Sequence, residues 1–317
     1  MMLGFVFNRT LQLIPVIIGV TLATFLLAQI IPGDPADVLL GSGASEEARQ
    51  QLRLALGLDR PIWIQYLQYL GNLLTGNLGQ SFTFAQPVSE VIRERLVNTA
   101  ILAFASIVLA SVVGISAGTW VALRPGALRD QGLSVVVLFF NSMPSFWLGL
   151  VLIIIFGLDL QLLPVGGMSD PTGEGGFLDV VAHMILPTIT LAAWSLAVIA
   201  RMTRAAMLEV LNSDFIRTAR SRGLGEARII LRHALPNALP SVITVIGLQM
   251  GFLLSGAVLT ETVFSWPGLG LAMYQAISTR DIPLIQGGIL VLAVAFVLIN
   301  FLVDVLYAYF NPKIQLS

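Results

Sequence analysis

Six long stretches of the chain contain no Asp, Glu, Lys or Arg: residues 10–33, 96–123, 131–158, 180–200, 234–260 and 282–303. Leu, Ile, Val, Ala and Phe dominate each of them, and each reaches the roughly 20 residues that a helix needs to cross a bilayer. A seventh uncharged stretch, 61–89, differs in kind. It carries Gln65, Gln68, Asn72, Thr75, Asn77, Gln80 and Gln86 with glycines at 76 and 79, and amides are costly in hydrocarbon without partners. It reads as an amphipathic helix outside the membrane, followed by a glycine-broken loop. The pattern predicts an all-α membrane protein of six transmembrane helices. The first apolar stretch exceeds the roughly 7–15 residues of a secretory signal, and no small-x-small site follows it closely. With Arg9 at its inner end, it reads as a retained helix.

Small residues recur every four positions in two of these stretches: Ser106, Ala110, Gly114 and Gly118 in the second, Gly247, Gly251 and Ser255 in the fifth. Such stripes let helix backbones approach closely in lipid. Residues 114–118 (Gly-Ile-Ser-Ala-Gly) also match the nucleophile-elbow pattern of hydrolases. That motif requires a strand-to-helix turn, which an apolar helix does not supply, so no catalytic residue is assigned.

Composition agrees with the pattern. Hydrophobic residues make up 56% of the 317 and charged residues only 11%, against about 25% charged in a typical soluble domain. A net charge of −1 argues against a nucleic-acid binder. With no cysteine and two histidines, His183 and His233, no metal site is expected in one chain. His183 reads as a hydrogen-bonded histidine at the outer start of the fourth helix. Asp304, near the inner end of the last, reads as an interfacial carboxylate paired with an inner-loop arginine.

The sparse charge sets the orientation. With the N-terminus inside, the inner segments hold Arg9, Arg124, Arg129, Arg201, Arg204, Arg217, Arg220, Arg222, Arg228, Arg232 and Lys313, eleven of the 17 basic residues. Both termini are therefore expected in the cytoplasm. Spans 1 to 5 have no ionisable residue in their middles, unlike most proton- or cation-coupled carriers. The single lysine, Lys313, lies in no Gly-Lys-Ser/Thr context, so the chain has no P-loop for ATP. If ATP drives the protein, another subunit binds it.

The longest inner loop, 201–236, carries the most informative local pattern. Ser213 is placed to cap a short helix through Phe215, Ile216 and Ala219, and Gly223 is placed to end it. A second short helix would carry Ile229, Ile230 and Leu231 before Pro236 and Pro240 lead into the fifth span. A short amphipathic helix rimmed by Arg217, Arg220 and Arg222 suits a groove on a partner protein. It equally suits an anionic membrane surface.

The stretch RTARSRGLGEARIILRHALPNAL, 217–239, resembles the coupling loop of bacterial ATP-binding-cassette importer permeases. Their signature is Glu-Ala-Ala, three residues, Gly, nine residues, a hydrophobic residue, one residue and Leu-Pro. Arg217, Thr218 and Ala219 stand at the Glu-Ala-Ala place, Gly223 at the glycine, His233 at the hydrophobic residue and Leu235-Pro236 at the Leu-Pro. This variant is similar to that of the dipeptide/oligopeptide/nickel branch. GNLGQS at 76–81, PVSEVIRERL at 87–96, SMPSFWLG at 142–149, LPVGG at 163–167, FSWPGLG at 264–270 and AISTRDIPLIQGG at 276–288 extend the likeness over nearly the whole chain.

The resemblance implies a type I importer permease with a MetI-like core in the bacterial inner membrane, similar to the first of two permeases. It implies an N-terminal helix and extracytoplasmic loop region over 1–95, and a five-helix core over 96–310 with its coupling loop near 208–236. The implied partners are a homologous second permease, two ATPase subunits or domains that hold ATP and Mg²⁺, and an extracytoplasmic substrate-binding protein. Phe215, Arg217, Thr218, Ala219, Arg220, Gly223, Leu235 and Pro236 would form the ATPase-coupling loop. Asn141, Ser142 and Ser145 beside Pro144, with Gln249 and Ser255, are candidates for the translocation path or for interhelical hydrogen bonds. Dipeptides, oligopeptides, glutathione and nickel chelates are all substrates of similar permeases. A partner-independent channel is the rival reading.

Overall fold

The computed structural model describes residues 2–30, 40, 45–170 and 175–310, with the side chains of 2–9, 55–56, 141, 304 and 306–310 outside the description. The helices in order are α1 (Met2–Ile30), α2 (Glu46–Leu56), α3 (Ile62–Leu74), α4 (Val88–Ala122), α5 (Leu128–Ser142), α6 (Ser145–Leu152), α7 (Gly176–Leu211), α8 (Asp214–Ser221), α9 (Glu226–Arg228), α10 (Leu235–Val263), α11 (Leu269–Thr279) and α12 (Ile282–Phe310). Strands β1 (Gln80–Ser81) and β2 (Gln86–Pro87) pair antiparallel, Gln80 opposite Pro87. This small ribbon stands where sequence reasoning expects only a glycine-broken loop. The chain divides into two compact units, Met1–Asn98 with Gly268–Ala295, and Thr99–Pro267 with Phe296–Ser317.

In the first unit, α3 lies along α1. Phe25 packs against Tyr66 and Tyr69 with ring centroids 5.4 and 5.9 Å away. The two phenol hydroxyls meet Thr21 Oγ1 at 3.0 Å and Thr24 Oγ1 at 3.3 Å. Trp63, Leu67 and Leu74 of α3 stay exposed, as in a helix that rests its apolar side on a membrane surface. Val88, Val91 and Ile92 form a buried cluster with Leu269, Met273, Ala276 and Leu284. Beside it, the fully buried Asp281 accepts hydrogen bonds from Ser81 Oγ at 2.6 Å, Thr83 N at 2.9 Å and Leu284 N at 3.2 Å. The last of these is a helix cap, so one carboxylate both starts α12 and holds the ribbon.

The second unit is a helical packing built on α7 and α10. Buried Gln249 of α10 accepts from Ser195 Oγ of α7 at 3.2 Å, and Trp194 packs against Phe252 at 4.6 Å. The small-residue stripe of α4 faces α7. A Cβ on Gly114 would stand 3.0 Å from Ile199, and one on Gly118 would stand 2.4 Å from the Ala200 carbonyl oxygen. Gly247 and Gly251 are likewise closed over by Val303 and Phe296 of α12, whereas Ser255 is exposed. Ser116 lies mid-helix, its hydroxyl bonded to the Val112 carbonyl at 2.6 Å, so residues 114–118 make no elbow. His183 is buried and its Nδ1 lies 2.9 Å from the Asp179 carbonyl oxygen, hydrogen-bonded as expected. The side chain of Asp304 lies outside the described residues.

Among the described residues, five helices are long and apolar enough to cross a membrane: Thr10–Ile30, Val88–Ala122, Gly176–Leu211, Glu226–Val263 and Ile282–Val303. The remaining uncharged run, 131–158, is bent rather than continuous, as in a broken span or a re-entrant loop. Leu128–Phe140 and Ser145–Asp159 meet at 99°, and Pro144 stands at the break. Proline disfavours helix in the residue before it, and Met143 is accordingly extended at φ −91°, ψ 127°. The LPVGG loop that follows docks on the FSWPGLG segment. Gly167 N donates to the Phe264 carbonyl at 2.8 Å, and a Cβ on Gly166 would stand 2.8 Å from that same oxygen.

Gly118→Leu should force α4 from α7 and cost at least the roughly 1–3 kcal/mol of an overpacked contact. Gly132, with open space around it, provides the control. Thermal unfolding in detergent is expected to show a lower melting temperature for Gly118→Leu than for Gly132→Leu.

Candidate functional site

The loop between α7 and α10 builds its short helix around one buried residue. Ile216 is fully buried in a cluster with Met207 of α7, Ala122 of α4, Ile229 and Ala234 of the turn leading into α10, and Ala238 of α10. Alternation of Phe215, Ile216 and Arg217 on α8 therefore turns one apolar face inward and leaves the others outside. Phe215 is 47% exposed, a large ring held in solvent by a seated neighbour.

The helix ends as glycine chemistry requires. Gly223 adopts φ +75°, Gly223 N donates to the Arg220 carbonyl at 2.9 Å, and Leu224 N to the Ala219 carbonyl at 3.3 Å. These two bonds are the paired closures of a left-handed C-terminal cap. Leu224 then packs on the same cluster as Ile216. The N-terminus differs from the sequence expectation. Ser213 stands at the capping position but makes no side-chain cap; its hydroxyl bonds back to the Val210 carbonyl, closing the end of α7 instead.

Charge organises the outer face. Arg220 binds Glu226 through Nε at 2.8 Å and Nη2 at 3.3 Å, clasping the turn from α8 to α9. Arg217 reaches Asp214 at 3.1 Å, with both side chains largely exposed. Exposed pairs of this kind stabilise little, so Arg217 remains open to a stronger acceptor. Thr218 is exposed, its hydroxyl bonded to the Asp214 carbonyl at 3.0 Å. Ala219 packs partly against the cluster.

The second short helix expected over 229–231 is not separate. Residues 226–228 run through a π-helical turn, Ile229–Ala234, directly into α10. Pro236 has no N–H to give and crowds the preceding turn. Wider i→i+5 spacing accommodates it, and Asn237 Nδ2 donates to the His233 carbonyl at 2.7 Å. Leu235 packs partly on the cluster and Pro236 is exposed. The loop is thus welded into the membrane helix that follows.

The candidate path residues do not form one group. Ser145 lines a cavity of about 200 Å³ with Phe140, Met143, Trp194, Ser195 and Phe252. Gln249 is committed to Ser195, Ser142 and Ser255 are exposed, and the Asn141 side chain lies outside the described residues.

Two family models match the chain: the binding-protein-dependent transport system inner membrane component over residues 114–316, and the N-terminal region of such membrane components over 2–103. The chain belongs to this family. It is 47% identical to the di/tripeptide transport system permease protein DppB of Pseudomonas aeruginosa (strain UCBPP-PA14), with 99% of each chain covered. It is 45% identical to the dipeptide transport system permease protein DppB of Escherichia coli (strain K12), again over 99% of each. The fold is similar to the inward-facing MetNI methionine ABC transporter, with a TM-score of 0.55 at 23% identity over 70% of this chain and 96% of that one. The protein is an inner-membrane, multi-pass transport component.

Three buried carboxylates escaped sequence reasoning: Asp130, Glu261 and Asp281. Glu261, fully buried near the end of α10, accepts from Thr99 Oγ1 at 2.6 Å. Asp281 gathers the three donors described above. Each sits at the edge of an uncharged run, which was the available signal, but edge carboxylates read naturally as solvated.

Ile216→Ala removes the side chain that seats α8 and should cost about 2–5 kcal/mol locally. Limited proteolysis is expected to cut faster within 214–224 in this variant. Leu231→Ala, at a side chain 66% exposed, should leave the cutting rate unchanged.

Proposed function

We propose that the chain is one of two homologous permease subunits in an ATP-driven importer of dipeptides and tripeptides. The observation that carries this reading is the seated helix α8, which presents Phe215 and Arg217 outward while Ile216 anchors it to α4, α7 and α10. A helix fixed to three membrane helices moves them when it is moved, which is what a subunit without its own P-loop needs. The peptide substrate is supported by the names and the 47% and 45% identities of the relatives. A glutathione or nickel-chelate substrate would use the same machinery, but the relatives favour peptides.

In this reading two ATPase subunits hold ATP and Mg²⁺, and one of them receives α8 in a groove on the cytoplasmic side. An extracytoplasmic binding protein delivers the peptide. ATP-driven closure of the ATPases pushes α8, and the two permeases rock about the path between them. The chain's own contribution is to take up force at Phe215 and Arg217, pass it through Ile216, and keep charge out of the path. A zwitterionic peptide can then cross without a fixed counter-charge to trap it.

The test is reconstitution in liposomes with the second permease, the ATPases and the binding protein. Labelled dipeptide should accumulate only with ATP and all partners present. Phe215→Ala should weaken ATPase association by about 2 kcal/mol, as loss of an aromatic anchor does, and uptake should fall with it. Dipeptide passing through liposomes that hold this chain alone would establish the channel reading instead.

A further inference from the structure

A second contact leads from the coupling region sideways to the bent third run. Asp130 is buried in the first turn of α5, and both of its oxygens are in use. Oδ2 accepts from Arg204 Nη2 at 2.7 Å and from Gly126 N at 2.9 Å, while Oδ1 accepts from Arg204 Nε. Gly126 belongs to the turn joining α4 to α5 and holds φ +77°. The same turn is spanned by a second contact, the Arg129 guanidinium over the Trp120 ring of α4, 5.1 Å from its centroid. Arg204 is on α7, three residues before Met207, which packs against Ile216. One turn of helix therefore separates the seat of α8 from a two-pronged ion pair with α5.

Geometry makes this pair more than an attraction. Two parallel N–H···O bonds between a guanidinium and a carboxylate fix an angle as well as a distance. The Asp130 side chain is 8% exposed and that of Arg204 31%, so the pair is only partly screened by solvent. Removing Arg204 leaves the more enclosed carboxylate with Gly126 N alone. α5, which this pair holds, ends at Ser142 before the 99° break at Pro144. Beyond the break, Ser145 and Leu148 line the cavity shared with Trp194 and Ser195.

We infer that the Asp130–Arg204 pair is the strap through which displacement of α8 reaches the bent third run. Both are positioning residues for transport, and the inference rests on the importer reading above. Without the strap, α7 still follows α8 through Met207 and Ile216, and α5 still packs along α7, but the fixed angle between them is lost and α5 follows α7 less closely. Hydrolysis then runs with less import.

The experiment measures dipeptide uptake per ATP hydrolysed in proteoliposomes holding the complete transporter. Asp130→Asn and Arg204→Gln should assemble and hydrolyse ATP, while uptake per ATP falls about tenfold, within the range of a single coupling contact. Arg204→Lys keeps the charge but not the fork, so its ratio should lie between those of wild type and Arg204→Gln. The double exchange Asp130→Arg with Arg204→Asp restores the ion pair but not the acceptor for Gly126 N, so it should recover part of the loss in uptake per ATP, a ratio that a merely structural defect would leave at the wild-type value in every assembled variant. A wild-type ratio in the single variants, or a double exchange no better than they are, overturns the strap. If the single variants fail to assemble, Arg204→Lys decides alone, and a wild-type ratio in it overturns the inference. Absence of ATP-dependent uptake by the wild-type assembly would instead overturn the importer reading.

Discussion

Close approach of backbones is the constraint on which the second unit depends. Lipid removes the hydrophobic drive that would press two helices together in water, so contact must come from fit. Gly114 and Gly118 supply it, letting α4 settle against Ile199, Ala200 and Thr203 of α7 with no space for a Cβ. That contact aligns the ends of α4 and α7, and their ends hold Ala122 and Met207, two walls of the pocket that receives Ile216. A stripe of missing side chains within the bilayer thereby sets the position of a helix outside it.

Polar groups then give the packing its register. Inside a membrane protein an unpaired polar atom is costly, and among the described residues the three buried carboxylates are all provided for. Glu261 takes Thr99, Asp281 takes Ser81, Thr83 and its own helix start, and Asp130 takes Arg204 and Gly126. Each joins segments distant in sequence, and each sits next to an element whose placement matters: the outer end of α10, the ribbon, and the first turn of the bent run. Charge is rare in this chain because nearly every position that carries it within the fold must also carry a matching set of donors.

Local properties were legible in the sequence and tertiary ones were not. Uncharged runs mark the membrane helices because exclusion of charge acts residue by residue, and the α4 stripe shows because the four-residue period is a property of one helix. Gly223 was readable for the same reason, as a left-handed cap is decided by the residue that adopts it. A proline inside an apolar run marks a disturbed helix, but the 99° angle at Pro144 depends on what α6 packs against. The ribbon at 80–87 has two-residue strands, too short for any pattern, and it exists because Asp281 holds it from 200 residues away. Ser213 shows the reverse failure, a good capping residue whose hydroxyl was already claimed by the preceding helix.

The π-helical turn at Ile229–Ala234 has a mechanical consequence. Without it, Pro236 would break the chain into a loop and a span, with slack between them. With it, Glu226–Val263 is a single rod of 38 residues, about 57 Å long at the ordinary helical rise. Its far end is clamped by Glu261 to Thr99, and Phe264 just beyond is bonded to the 163–167 loop. The segment beside α8 and the Thr99 contact are thus the two ends of one continuous helix, with no loop between them to take up a displacement.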